Sequence, residues 1–149
     1  MARNIFFRGV LYQMRVLVID DYRSHGESLV ELLQTRGHEA MYCGDETDSE
    51  WLLGLFRFDL AILDFDMPGI SGPAMAAKLA KRFPDLRSVI VSAHAPIGKR
   101  RTELGDLPFI KKPVPPQKLL DFIEAVNQER MGYSVVLRSV YSLVRYGKP

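Results

Sequence analysis

The chain contains a single cysteine, Cys43, in 149 residues. One thiol excludes an intrachain disulfide and any cysteine-rich metal site, and it is compatible with a reducing compartment. Long apolar runs are also missing: none approaches the roughly 20 residues needed to cross a bilayer. The opening stretch, MARNIFFRGVLYQ, is interrupted by Arg8 and Gly9 and has no apolar segment of the signal-peptide kind. These absences lead to the expectation of a cytoplasmic protein. Charge of one sign is scarce as well. A net charge of +2 creates no broad field that would attract nucleic acid. No internal repeat or low-complexity segment occurs. What remains is a chain long enough for one domain with a full core, of ordinary globular composition.

Short apolar runs alternate with helical patterns along that chain. Met14 to Asp20 (MRVLVID) reads as a strand buried on both faces. A helical stripe with Leu29, Val30, Leu32 and Leu33 follows from about Arg23 to Arg36, and Gly37 stops it. His38 to Cys43 is a weak second strand. Glu46 to Phe56 fits a second helix carrying Trp51, Leu52, Leu55 and Phe56. Asp59 to Asp64 (DLAILD) is a third strand. Ser71 to Phe83 is helical, with Met75, Leu79 and Phe83 spaced by four and Pro73 in the first turn. Arg87 to Ser92 (RSVIVS) is a fourth strand. Pro96 to Leu104 is polar and allows only a short helix. Leu107 to Lys111 is a fifth strand, and a fifth helix runs from Pro115-Pro116 to about Glu129, with Leu119, Phe122, Ile123 and Val126 on one face.

Five strands alternating with five helices predict a doubly wound α/β fold, a parallel sheet covered on both faces. In such sheets, function sits in the crevice at the strand C-terminal ends. The residues there are Asp20, Asp21, Asp64, Ser92 and Lys112. In the common flavodoxin-like order, strands one and three are neighbours, so three carboxylates converge. Like charges that close repel, and one of the groups has its pKa raised. A hard divalent cation relieves the repulsion. An all-carboxylate site with no His or Cys suits Mg²⁺, or Mn²⁺, rather than Zn²⁺. With a cation bridging, Asp64 could act as a nucleophile toward phosphorus. Ser92 offers a hydroxyl donor and Lys112 an ammonium charge for the phosphoryl oxygens.

These pieces resemble the receiver domain of bacterial two-component response regulators. The matching stretches are VLVIDD (Val16 to Asp21), LDFDMPGISG (Leu63 to Gly72), VIVSAHA (Val89 to Ala95) and FIKKPV (Phe109 to Val114), within residues 14 to 128. The resemblance implies a (βα)5 sheet of order 2-1-3-4-5 and a phosphorylation-dependent switch. It implies Asp64 as phosphoacceptor, Asp21 as a direct Mg²⁺ ligand and Asp20 acting through metal-bound water. The backbone carbonyl of Asp66 would be a further ligand. Ser92 would move toward the phosphoryl group and Lys112 would pair with it. The phosphoryl group would come from a sensor histidine kinase or a histidine phosphotransfer protein, and a downstream protein would read the result. Any enzymatic activity would be limited to self-phosphorylation and autodephosphorylation.

Two other readings compete. The Asp-x-Asp of LAILDFDMPG (Leu60 to Gly69) is similar to the start of haloacid dehalogenase-type phosphatases, where the second Asp is the acid/base. Chain order opposes this, because there the acidic pair comes last and here Asp20-Asp21 come first. A receiver-like interaction module working without phosphorylation is the other alternative, although no acidic or lysine position is lost. Within the receiver reading, Phe109 stands where the family often has a Tyr. It is either a switch residue acting by packing or a plain core residue. The Asp66 side chain is either a modulator of phosphoryl lifetime or a solvated loop acid, and His94 either faces the pocket or is a solvated loop histidine. Lys99, Arg100 and Arg101 lie in a polar fourth helix that a partner or phosphorylation orders, or in a solvated loop.

The expected organisation is an N-terminal extension over 1–13, a receiver domain over 14–129 and a C-terminal tail over 130–149. The tail is too short for an output domain, which predicts a stand-alone receiver or a fragment of a longer chain. Its apolar residues, Tyr133, Val136, Val140 and Val144 among them, suggest packing against the domain or homodimerisation rather than a membrane surface.

Overall fold

The computed structural model describes residues 13–130. The expectations for the extension and the tail, apart from Gln13 and Arg130, lie outside the described residues. The elements are β1 (Arg15–Ile19), α1 (Arg23–Thr35), β2 (Glu39–Cys43), α2 (Glu46–Leu55), β3 (Leu60–Asp64), α3 (Gly72–Arg82), β4 (Arg87–Ser92), α4 (Lys99–Leu104), β5 (Phe109–Lys111) and α5 (Pro116–Arg130). The strands form one parallel sheet of order β2-β1-β3-β4-β5, as the alternation and the resemblance imply.

The continuous apolar runs resolve into two faces because successive side chains of a strand point to opposite sides. Val16, Val18, Ile62, Val89, Val91 and Ile110 meet Leu29 and Leu33 of α1 and Phe122 and Val126 of α5. Leu17, Ile19, Leu63, Ile90 and Phe109 meet residues of α2, α3 and α4, including Leu52, Met75, Leu79 and Leu104. β3, at the centre, is buried along its whole length. Burial on both sides pins the register: a slip by one residue would exchange the two faces.

Local sequence sets the helix ends. Ser71 accepts the Ala74 N–H and caps α3, Pro73 occupies its first turn, and Lys81 and Arg82 sit in its last. Gly37 adopts φ +85° after α1. Its N–H reaches Gln34 O at 3.1 Å, and the His38 N–H reaches Leu33 O at 3.0 Å, a Schellman ending that needs a left-handed residue.

One reading from the sequence is corrected, at β5, and two are refined. α2 forms, but it buries Ser49, Leu52 and Leu53, while Trp51, Leu55 and Phe56 are exposed. The helix is short and bears apolar residues all round, so periodicity does not select its inner face. β5 is shorter than Leu107–Lys111: the residues in register with β4 run from Phe109 to Lys111. The short fourth helix that the stretch from Pro96 allows is present as Lys99–Leu104, and Leu104 is buried against the core.

Gly72 shows how closely α3 approaches the end of β3. A Cβ there would lie 2.3 Å from the Asp64 carbonyl oxygen and 3.1 Å from Phe65 Cα. Those neighbours are backbone and cannot turn aside. Gly72→Ala is therefore expected to destabilise the chain by about 1–3 kcal/mol by overpacking. Urea unfolding checks this, and a change within about 0.5 kcal/mol would show that the junction has slack.

Candidate functional site

The five singled-out residues all lie along the C-terminal edge of the sheet. Asp20 and Asp21 follow β1, Asp64 ends β3, Ser92 ends β4 and Lys112 follows β5. Because β1 and β3 are adjacent, carboxylate oxygens of Asp20, Asp21 and Asp64 fall within 4.8 Å of one another. Asp20 is almost wholly buried, Asp64 largely so, and Asp21 is exposed. Lys112 reaches across from β5: its Nζ lies 2.7 Å from Asp20 Oδ2 and 3.2 Å from Asp64 Oδ1. The Lys112 N–H also donates to Ser92 O at 2.8 Å, extending the sheet to the lysine itself.

The chain holds Asp20 firmly. Asp20 Oδ1 accepts the Tyr22 N–H at 2.9 Å, an Asx turn that bends the chain into α1. The Asp20 carbonyl accepts the Tyr42 hydroxyl at 2.8 Å. Tyr42 can lie there because residue 26 is glycine: a Cβ at Gly26 would stand 2.3 Å from its ring. Tyr42 was not foreseen from the sequence. The available signal was Gly26, a glycine inside a helical pattern, which often marks a close approach.

Burial pushes the Asp64 carboxyl up to about 6, with Asp20 and Asp21 adding to the shift and Lys112 opposing it. For Lys112, burial acts downward. The hydrogen bond and charge of Asp20, with those of Asp64, outweigh it, and the ammonium is held above its usual range.

Asp66 stands apart from this group. Its carboxylate pairs with Arg100 (Nη1 to Oδ1, 2.6 Å; Nη2 to Oδ2, 3.1 Å) and meets Ser92 Oγ at 3.3 Å. The Arg100 hydrogen bond holds it below the usual carboxylate range, with the Arg100 charge and Ser92 adding to that. His94 is exposed, its Nδ1 3.8 Å from Asp66 Oδ2, and its N–H donates to Ser92 Oγ at 3.1 Å. Phe109 is buried in the same core cluster as Leu104. Arg100, which the sequence placed in the polar fourth-helix stretch but not at the pocket, also donates to Ser92 Oγ at 2.9 Å. A cavity of about 410 Å³ lies at the opposite edge of the sheet, between Leu53–Phe58 and Arg82–Leu86, and touches none of these residues.

The raised Asp64 pKa has a definite sign for stability. Between its ordinary value of 3.8 and about 6, the folded chain keeps a proton that the unfolded chain has released. The contribution of Asp64 to stability therefore falls as pH rises through that window and stays unfavourable above it. In metal-free buffer at pH 7.5, Asp64→Asn is expected to be more stable than wild type by about 1–2 kcal/mol, the gap closing toward pH 4. Paired urea titrations measure this; equal stability at pH 7.5 would contradict it.

Comparison with known proteins agrees with this arrangement. The sequence model named "Response regulator receiver domain" matches residues 16–124. The sensor protein TorS of Escherichia coli is 32% identical over 109 residues, 71% of this chain and 12% of TorS. A response regulator receiver protein of Anaeromyxobacter is 29% identical over 110 residues, 72% of this chain and 46% of the relative. The match thus spans less than half the length of each. Among solved structures, a CheY-like receiver domain protein of Methanospirillum hungatei superposes with TM-score 0.71 at 23% identity, covering 81% of this chain and 99% of that one. The response regulator TrrA of Thermotoga maritima, in complex with Mg²⁺ and BeF, gives TM-score 0.66 at 26% identity, covering 76% and 99%.

Proposed function

From the premise that this chain belongs to the response regulator receiver domain family, we propose that it is a phosphorylation-dependent switch whose phosphoacceptor is Asp64. The observation that carries the reading is the Asp64 carboxylate at the end of β3, with Lys112 Nζ 3.2 Å away and two further carboxylates within 4.8 Å. The donor would be a sensor histidine kinase or a histidine phosphotransfer protein, and the receiver unit would be residues 14–129. A carboxylate oxygen of Asp64 attacks phosphorus, and the P–N bond to the donor imidazole breaks as the P–O bond forms. Lys112 then has the phosphoryl charge to pair with, and Ser92 offers its hydroxyl hydrogen to a phosphoryl oxygen.

The oxygen-only donor set fits Mg²⁺ or Mn²⁺. Asp21 and Asp64 would hold the ion directly with the backbone carbonyl of Asp66. Asp20 suits a role through bound water, since both of its oxygens already accept hydrogen bonds from the protein. Such an ion supplies charge shielding between the carboxylates and the incoming phosphoryl group. Phe109 would couple the site to α4 by packing, being buried in the same core cluster as Leu104. His94 would act only at the pocket margin. The output would be a changed contact with a downstream protein, or a homodimer, rather than direct binding of nucleic acid. Among the described residues no helix is long and apolar enough to cross a membrane, and a cytoplasmic role fits the partners proposed.

The pairing of Asp66 with Arg100 speaks against the acid/base role that a dehalogenase-type phosphatase would need. Incubation with acetyl phosphate and Mg²⁺, followed by intact-mass measurement, is expected to show one added phosphoryl group. Asp64→Asn or removal of the metal with a chelator should abolish it. A wild-type chain that never gains the group would turn the reading toward an interaction module working without phosphorylation.

A further inference from the structure

Ser92 is fully buried, and every hydrogen-bonding site on its hydroxyl is in use. Oγ accepts from the His94 N–H at 3.1 Å and from Arg100 Nη2 at 2.9 Å, and it donates to Asp66 Oδ2 at 3.3 Å. A hydroxyl has one hydrogen and two lone pairs. It cannot donate to a phosphoryl oxygen on Asp64 while its only hydrogen is committed to Asp66.

Arg100 organises this arrangement. Its guanidinium grips Asp66 with two prongs and Ser92 with one of them. It lies 3.8 Å from the centre of the buried Phe65 ring. Two-pronged arginine–carboxylate pairs are among the stronger and more directional polar contacts, and stacking on an aromatic face adds to them. Nε has no acceptor among the described residues, so the polar ties of Arg100 run to Asp66 and Ser92. α4 has six residues, too few for a helix to persist without tertiary support. It is also tied by the Ser71–Glu103 hydrogen bond and by buried Leu104, both nearer its C-terminal end. Arg100 fastens the N-terminal end.

The geometry points to Arg100 as a positioning residue that latches Ser92 and the start of α4 in the unphosphorylated arrangement. The inference rests on Asp64 being the phosphoacceptor. Phosphorylation draws the Ser92 hydroxyl hydrogen from Asp66 to the phosphoryl group, the cluster loses its shared hydroxyl, and the N-terminal end of α4 is released. The signal thus reaches α4 through a polar link as well as through the packing of Phe109. A contact present only in the unphosphorylated state lowers the apparent affinity for anything that needs the other state.

The test uses the full chain, beryllofluoride with Mg²⁺ as the phosphoryl probe, and titration calorimetry. Arg100→Ala is expected to bind the probe about 5- to 10-fold more tightly than wild type, a coupling of ordinary allosteric size. Arg100→Lys, which keeps the charge without the planar fork, should fall between the two. Hydrogen exchange over 99–104 gives a second readout. It should rise in wild type when the probe binds and be high in ligand-free Arg100→Ala. Asp66→Asn leaves the backbone carbonyl in place and should shift affinity in the same direction, which keeps the test decisive if Arg100→Ala does not fold. Weaker probe binding by Arg100→Ala would make the arginine a phosphoryl ligand and overturn the latch. Unchanged affinity with unchanged exchange would also overturn it. A wild type that binds no beryllofluoride would bring down the phosphoacceptor reading itself, whereas a wild type that binds while the variants do not differ brings down the latch alone.

Discussion

The ammonium of Lys112 makes the rest of the site tolerable. Two carboxylates, Asp20 and Asp64, are buried side by side at the ends of adjacent strands. Unpaired, each would carry a large desolvation cost and repel the other. Lys112 meets both, at 2.7 and 3.2 Å. It does so from β5, two strands away from β3, so the ion pairs depend on the whole sheet order. The compensation is partial. Asp64 remains raised to about 6, a carboxylate that the surroundings would rather see neutralised. A group left in that condition is suited to taking up a cation or forming a bond to phosphorus.

The edge carries two polar clusters that meet at β3 and β4. In one, Lys112 gathers Asp20 and Asp64. In the other, Arg100 gathers Asp66 and Ser92. Asp64 and Asp66 are separated in sequence only by Phe65, yet they belong to different clusters. Phe65 sits between them, buried in the core and covered by the Arg100 guanidinium. The Asp-x-Asp spacing, which resembles that of a nucleophile with its acid/base partner, is split between two sites, each with its own cation. Ser92 stands in the second cluster, at the end of the strand next to β3. On the proposed reading, a change at Asp64 reaches α4 through the Ser92 hydroxyl, whose single hydrogen can satisfy only one acceptor at a time.

Much of this was legible in the chain. Strand ends followed from short apolar runs terminating in Asp20, Asp64 and Ser92, and helix ends from Gly37, Ser71 and Pro73. Parallel order followed from alternation, since parallel neighbours require crossovers. These features are local, and their periods of 2 and 3.6 residues are written in the order of side chains. The sequence also determined which residue types meet at the sheet's edge, because in a parallel sheet all strands end on the same side. Only the tertiary structure decided that Trp51 faces outward, that Tyr42 holds the Asp20 carbonyl across Gly26, and that Arg100 rather than a neighbouring cation closes on Asp66. Those outcomes depend on how a short helix rotates and how a loop closes, which have no sequence period. That one of the three converging carboxylates is raised was legible in the sequence; that it is Asp64, and chiefly through burial, only the tertiary structure decided.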